Sequence, residues 1–513
     1  MIKRAVDAFP ADGEDIIFIV RKEHINEFEI DKELKKLFSE KIKIVIQNTP
    51  PEGAAKSALL AKSLIDREEE LIISDCDFIL DTKKFFEEIN EKKPDFAFPI
   101  FKTNNPRSSF AKLDSKNNVI ETAEKQLISD KGIIGTYYFR NGSYFEDYAE
   151  KMISCSDKIN NEFYISPIFN YLIKDKKQGI AIEGCKLIEM GTPELLEKSL
   201  PEIREKDALE IMKKAVKEAG KHAMQHYGKE DYKIKNVEGQ GYEGFDKIKK
   251  SFVTNVDKEA EKIILHNLRE FTDFAVLAEE EDAEIKELAS KFNPNSEYAF
   301  LIDPLDGTSN YLMGNKKIKD LLAEKYLLEN HEVMPDNSDK FGVCISLLKK
   351  GSIICTVVYY PYFGQLLVSE KGSGTWIDEK NIRIKKKIKH EFSDAIRISQ
   401  YSKINKFKSL FSDRKSYQSA SYNLKALLEG KIIAYCIESV DYLDFCPTLL
   451  AYKEAGGFIS DEKGSELSIK DITNQVKDNR INQFMILCPT REYLKSFINN
   501  LKSHGFDTPC KFK

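Results

Sequence analysis

Two carboxylates three residues apart, Asp303 and Asp306, stand at the end of the buried-looking strand AFLID (299–303) in the run AFLIDPLDGTSN. A turn of this kind projects both side chains, with the Leu305 carbonyl between them, from a strand's carboxyl end. Open α/β sheets place their ligands there. Gly307, Thr308 and Ser309 then open what reads as a helix, whose free backbone N–H groups suit a phosphate. Asp, Pro and Gly also make ordinary strand-end turns, so the run alone supports either reading. Three more acidic elements accompany it. Glu279 and Glu280 end a short apolar run in VLAEEED, where a solvated acidic face is the ordinary alternative. Asp444 begins a helical segment in DYLDFCPTLLAYKEAGG (441–457), and Asp257 stands in SFVTNVDKEAEK. Both fit helix N-caps, and the glycines after Ala455 fit a C-cap. Singly, each element has a structural explanation; in this order they form one acidic constellation.

The elements that must carry these residues are legible as apolar patterns. AFLID (299–303), GVCISLL (342–348), SIICTVVYYP (352–361) and QLLVSE (365–370) read as strands. Ala208–Gln225 and Asp257–Phe271 read as amphipathic helices, joined by the Gly-rich, charged stretch NVEGQGYEGFDK. Upstream, DIIFIV (15–20), KIKIVIQ (42–48) and ELIISD (70–75) read as strands, with a helix over AAKSALLAKSLI (54–65) between the last two. That alternation predicts an α/β layer with a largely parallel sheet. TPELLEKSLPEIREKD (192–207), with its two prolines, reads as the join, which places a domain boundary near residue 200.

Asp257 in TNVDKEAEK, Glu279-Glu280, DPLDGTSNY (303–311), GSGTW (372–376) and LDFCPTLLAYKEAGG (443–457) together resemble the inositol monophosphatase family of lithium-sensitive, magnesium-dependent phosphatases. The resemblance covers about residues 203–495 and implies a layered αβαβα sandwich over 203–513. Hydrolysing an unactivated phosphomonoester needs a nucleophilic water, charge neutralisation and help for an alkoxide leaving group; two or three Mg²⁺ ions supply all three. Hard carboxylate and carbonyl oxygens are the ligands Mg²⁺ prefers. By resemblance, Glu279, Asp303 and the Leu305 carbonyl hold one ion. Asp303 bridges to a second held by Asp306 and Asp444. Glu279 and the Thr308 hydroxyl orient the attacking water, with Asp257 supporting them. Asp306, Gly307, Thr308 and Asp444 line the substrate, the Gly307 and Thr308 amides receiving its phosphate. Glu280 is either a further ligand or a neighbour that supports one. Leu443 stands where the family has Trp, and Ile437, followed by Glu438, stands where its namesakes grip inositol hydroxyls. SASYNLKALLEGK (419–431) is closer to the bisphosphate-nucleotidase branch, an alternative that makes a 3′(2′),5′-bisphosphate nucleotide the substrate. A charged insertion at 316–338 is expected to form a lid or an oligomer contact, and family habit implies a homodimer through this domain.

In the front half, NTPPEGAAKSALLAKSLI (48–65), LIISDCDFILD (71–81), ETAEKQLIS (121–129), GIIGTYYFR (132–140), NEFYISPIFNYLI (161–173) and EMGTPELL (189–196) follow one another. Their order resembles the sugar-nucleotidyltransferases, implying a three-layer α/β/α domain over 1–198. By that resemblance Asp77 matches the metal-binding Asp, Glu124 and Lys125 face a sugar phosphate, and Glu162 lies in the sugar-pocket segment. The family's opening strand and glycine-rich loop have no counterpart here, which predicts a sheet with a gap or exposed edge and leaves three explanations: a mis-assigned start, a lost loop with sugar-phosphate binding retained, or a loop supplied by another chain. Without that loop's amides and basic groups, nucleotidyl transfer is not expected. The expectation is a sugar-phosphate or sugar-nucleotide binding module, regulatory or bifunctional with the rear half.

Composition bounds the remaining classes. At 513 residues, with 42% apolar and 32% charged residues, the chain is long and apolar enough for two or more cored domains. Seventy-nine Lys and Arg against 84 Asp and Glu give a formal charge of −5, which offers no whole-chain case for nucleic-acid or acidic-membrane partners. No stretch approaches the roughly 18 uncharged apolar residues of a membrane helix. The acidic start reads as no secretory signal, and nine scattered Cys without a CxxC pair read as reduced cytosolic thiols. The expected partner is a small phosphorylated substrate, met in the cytoplasm.

Overall fold

The computed structural model describes residues 2–10, 15–50, 52–229, 255–280, 283–293, 295–316, 318–320, 337–384, 396–398, 417, 419–437, 440–461, 464–473, 476–477, 480–481, 483 and 485–496. The chain divides into two compact units, Met1–Glu202 and Ile203–Lys513.

In the first unit, β1 (Ile17–Arg21) and β2 (Lys43–Gln47) pair in parallel as a two-stranded sheet of their own. There follow β3 (Leu71–Ser74), β4 (Phe78–Leu80), β5 (Phe96–Lys102), β6 (Ser109–Leu113), β7 (Val119–Glu124), β8 (Lys131–Ile133), β9 (Thr136–Phe139), β10 (Gly179–Glu183) and β11 (Leu187–Glu189). The main sheet runs β3-β9-β5-β8-β6-β7, with β10 beside β5, while β4 and β11 pair apart from it. The largely parallel sheet predicted from the sequence holds for the β1–β2 pair but not for the main sheet, within which only β5–β10 is parallel. The reason is local. Residues 102–139 return on themselves through short connections, such as the turn at Asn117 (φ 64°), and such connections join antiparallel neighbours. The predicted helix at 54–65 is also shorter, α1 (Ala54–Leu59) followed by a 3₁₀ turn at Lys62–Leu64. α2 (Gly142–Ser154) and α3 (Ile168–Lys174) close the core, in which Phe169 stacks on Phe96 at 4.8 Å and on Phe139 at 5.3 Å.

α4 spans Pro193–His226, so the stretch read as a join is helical. Pro193 opens it, where a missing N–H costs nothing, and Pro201 is accommodated inside. Its buried residues run from Ile203 through Leu209, Met212, Val216 and Ala219 at helical spacing. α5 covers 255–267 and passes into a 3₁₀ turn at Leu268–Phe271.

The second unit is built on a seven-stranded sheet in chain order: β12 (Ala275–Ala278), β13 (Tyr298–Asp306), β14 (Gly342–Lys349), β15 (Ser352–Tyr360), β16 (Gln365–Glu370), β17 (Gly374–Ile377) and β18 (Lys380–Ile382). Both faces are covered. Val343, Ile345, Leu347 and Val357 pack with α4 and α5, while Cys344, Leu348, Val358 and Tyr360 face the opposite cluster. Burial on both faces is why these strands read as continuous apolar runs. The opposite cluster holds α7 (Ala420–Leu428) and α8 (Tyr442–Glu454), with a short α6 (Thr308–Leu312) following β13. α8 is buried from Phe445 through Tyr452 and also meets Tyr435, Ile459 and Leu487 from a second, four-stranded sheet. An element enclosed in this way presents its first turn at a fixed position.

Gly53 is required by both conformation and space in the first unit. It has φ 110°, and a Cβ there would lie 2.4 Å from the backbone N and O of Phe163. Those same atoms bond Glu52 and Ala55, zipping the start of α1 onto residue 163. Gly53→Ala should destabilise the first unit by about 2 kcal/mol or more. Hydrogen exchange over 1–202 should show faster exchange across α1 and the main sheet, and unchanged protection would contradict this packing.

Candidate active site

Parallel pairing brings the first two carboxylates together. β12 and β13 run side by side with Ala278 opposite Ile302, so the next residues, Glu279 and Asp303, leave adjacent strands at the same end. β13 does not stop at Asp303 to make the turn read from DPLDG. It continues to Asp306 through a bulge: Asp303 pairs Cys344 and Asp306 pairs Gly342, three residues facing two steps. Pro304, with no N–H to give a ladder, sits within it. The third carboxylate comes from α8, which begins at Tyr442 rather than at Asp444, so Asp444 occupies the first turn instead of a cap. One carboxylate oxygen each from Glu279, Asp303 and Asp444 lies within 4.8 Å of the others. This is the one group of three or more acidic, His or Cys side chains that close among the described residues.

Asp303 is only 2% exposed. Its Oδ1 accepts from the Leu305 N–H at 3.1 Å, while its buried Oδ2 has no hydrogen-bond partner. Burial, then the neighbouring carboxylates of Glu279, Asp444 and Asp306, push Asp303 well above the usual carboxylate range. A buried acceptor aimed at other acceptors is costly without a cation. The donor set is all hard oxygen with no thiol or imidazole, so it fits Mg²⁺ rather than a softer ion.

Asp306 stands outside that group. Its oxygens accept from Ser419 Oγ at 2.6 Å, the Ala420 N–H at 3.0 Å and the Ser421 N–H at 2.7 Å. It therefore pins the start of α7, where Ser419 Oγ also accepts from the Tyr422 N–H at 3.0 Å. Burial raises the Asp306 carboxyl, and the Ser419 and Ser421 bonds pull it back down. Gly307 (φ 86°) lies against the same segment, where a Cβ would come 2.8 Å from Ser419 Cβ and 2.9 Å from the Lys340 carbonyl oxygen. The Thr308 hydroxyl donates to the Leu305 carbonyl at 3.0 Å. Asn310 Nδ2 donates to the carbonyls of Lys340 and Tyr417, tying the loop from a second side.

Asp257 on α5 is buried, with Oδ1 unpartnered. Burial and the carboxylates of Glu280, Glu279 and Glu261 push it well above the usual range. Glu261, one turn further along α5, was not singled out from the sequence, although its i+4 spacing from Asp257 was a usable signal.

Other predicted positions fall elsewhere. Ile437, expected at the inositol-gripping position, is fully buried in the core, as is Leu443 nearly so. Glu438 and most of the 316–338 insertion lie outside the described residues. Lys425 is buried, with Nζ donating to Glu429 at 2.5 Å and lying 4.9 Å from the Phe363 ring centroid. In the first unit, Glu124 is buried and its Oε2 accepts from the Ser109 and Ser166 hydroxyls. Lys125 (φ 53°) bonds the Tyr164 hydroxyl and lies 4.4 Å from that ring's centroid. Asp77 and Glu162 are exposed. Asp75, also exposed overall, has its carboxylate against Gly135, where a Cβ would meet Oδ2 at 2.1 Å. Desolvation, with Asp77 and Glu124 adding, pushes Asp75 up to about 6.

The second unit is thus a mixed α/β protein with a cation-ready carboxylate group at the carboxyl ends of a parallel strand pair. The model of the inositol monophosphatase family matches residues 205–495, and the chain belongs to that family. The Nus factor SuhB of Xylella fastidiosa is 25% identical over 231 residues, 43% of this chain and 72% of the relative. A fructose-1,6-bisphosphatase/inositol-1-monophosphatase of Aquifex aeolicus is 28% identical over 274 residues, 51% of this chain and 88% of its own length. Among solved structures, a nucleoside-diphosphate-sugar pyrophosphorylase from Vibrio cholerae RC9 is similar over 39% of this chain and 86% of its own, at 22% identity and a TM-score of 0.35. A likeness at that level assigns no function to the first unit.

Ser419→Ala removes both a partner of Asp306 and the cap of α7. It should destabilise the second unit by about 1–2 kcal/mol. Urea unfolding followed by fluorescence of the sole tryptophan, Trp376 in β17, checks this, and an unshifted midpoint would contradict it.

Proposed function

We propose that the second unit is a Mg²⁺-dependent phosphomonoesterase acting on a sugar, cyclitol or related small phosphate. The observation that carries this reading is the meeting of Glu279, Asp303 and Asp444 oxygens within 4.8 Å. Those three residues, with the Leu305 carbonyl, would hold the ion. Asp306, held in place by Ser419, Ala420 and Ser421, would lend a carboxylate oxygen to a second ion. When bound, Mg²⁺ neutralises charge on the phosphoryl oxygens and eases deprotonation of a water.

The chain's own residues supply positioning and proton handling. Thr308 gives its hydroxyl proton to Leu305, so its oxygen is left to accept from the attacking water. Glu279, the exposed member of the group, takes the second hydrogen bond of that water and accepts its proton. The water oxygen bonds to phosphorus as the phosphorus–alkoxide bond breaks, and the leaving oxygen takes a proton from solvent. The Gly307 and Thr308 backbone N–H groups face the phosphate. Asp257 stands behind Glu279 as support.

Asp303→Asn keeps the shape but removes the charge at the centre of the group. Phosphate release at saturating Mg²⁺ should fall by on the order of 10²–10³-fold. A screen over sugar phosphates, inositol phosphates and 3′-phosphoadenosine phosphates measures it. Undiminished release by the variant would refute the reading.

For the first unit we infer binding of a sugar phosphate or sugar nucleotide. Its support is the adjacency of Glu124, fixed by two serine hydroxyls, and Lys125, stacked on Tyr164. Calorimetry of the intact protein against a panel of sugar nucleotides should give heat that Lys125→Ala weakens by about tenfold or more. No heat across the panel would contradict it.

A further inference from the structure

We infer that Glu261 is a positioning residue: its carboxylate fixes the backbone between Glu279 and Glu280 and so sets where the Glu279 side chain meets Asp303 and Asp444. The inference rests on the metal-dependent reading above and adds to it a residue outside the converging group.

Glu261 is 0% exposed, on the second turn of α5. Its Oε2 accepts from the Glu280 backbone N–H at 3.1 Å, and its Oε1 is buried without a hydrogen-bond partner. Burying a carboxylate for packing alone is unfavourable, and an apolar side chain would fill the same space. What the carboxylate supplies is an acceptor at one particular peptide. The Glu280 nitrogen lies in the peptide plane that follows the Glu279 Cα, so holding that N–H restricts the orientation of Glu279 itself.

The anchor is placed to do this because α5 is registered on the strand that carries Asp303. Val256 packs with Leu305 and Tyr311, while Ala260 and Ile264 pack with Phe300 and Ile302 of β13. Apolar contacts thus set α5 against β13, and the Glu261 bond carries that register across to the end of β12. Glu279 is the member of the group that most needs such support. It lies just past a four-residue strand and is exposed, whereas Asp303 lies within β13 and Asp444 within α8.

The test separates acceptor geometry from packing and from charge. Glu261→Gln keeps an acceptor oxygen at the same reach, while Glu261→Leu keeps volume without one. In the intact protein, the Mg²⁺ concentration for half-maximal phosphate release and Mn²⁺ affinity by calorimetry are measured beside KM for the phosphate substrate. Glu261→Leu should weaken metal half-saturation and Mn²⁺ affinity by about tenfold or more, with KM at saturating metal within about threefold. Glu261→Gln should stay within about threefold of wild type on all three. Circular dichroism establishes that each variant is folded. If the Leu variant does not fold, Glu261→Asp, which withdraws the acceptor by one methylene, should show the same loss of metal affinity. Wild-type metal affinity in the folded Leu or Asp variant overturns the inference, as does a loss in the Gln variant equal to that in Leu. If the wild-type protein itself takes up no Mn²⁺, the metal-dependent reading fails, and this inference with it.

Discussion

The second unit is organised around a repulsion. Three carboxylate oxygens meet within 4.8 Å, one of them on a residue that is 2% exposed. At an effective dielectric near 20, each fully charged pair at that distance costs about 3 kcal/mol, less where water screens Glu279. Nothing in such a group holds itself together. Its members are held by the elements that carry them, and a divalent cation turns the same geometry from a cost into a gain.

Three kinds of constraint do the holding. The parallel register of β12 and β13 puts Glu279 and Asp303 at one end of the sheet. The bulge at Pro304 re-aims the next residues so that Asp306 turns to the start of α7 instead of joining the group. Burial of α8 on all sides fixes Asp444 from the opposite direction. Around them, Asn310, Ser419 and Gly307 clamp the 303–310 loop onto the segments at 340 and 417–421. The loop is consequently anchored to the packed interior at both ends while Gly307, Thr308 and Ser309 stay half-buried.

Much of this was legible in the residues. The strands of the second unit announced themselves because both faces are buried and their apolar runs are unbroken. Glu279, Asp303 and Asp444 were identifiable only jointly, since each alone fits a cap or a turn. The misreadings have physical causes. The stretch at 192–207 does hold the division between the two units, after Glu202, but it is helical, since Pro at a first helical position is compatible with the helix that forms. The first unit's opening strand–helix pattern suggested parallel pairing, which holds for β1 and β2 but does not extend to the main sheet, where short connections such as the Asn117 turn join antiparallel neighbours. Asp306 reads as a ligand by its spacing from Asp303; what the sequence does not carry is the approach of Ser419, 113 residues away, and the hydrogen bonds it brings. Glu261 was passed over although it stands four residues after Asp257, because an acidic residue on an amphipathic helix reads first as part of the solvated face; its complete burial is a tertiary fact.

The central claim is that Glu279, Asp303 and Asp444 share a divalent cation. The most direct measurement is the anomalous difference map of a crystal grown with Mn²⁺ as the Mg²⁺ substitute. The account predicts a peak within coordination distance of one oxygen from each of the three residues, and at least one peak there in every copy of the chain. A well-ordered site in which the three carboxylates remain together with no peak between them, at Mn²⁺ concentrations that saturate activity, would contradict it.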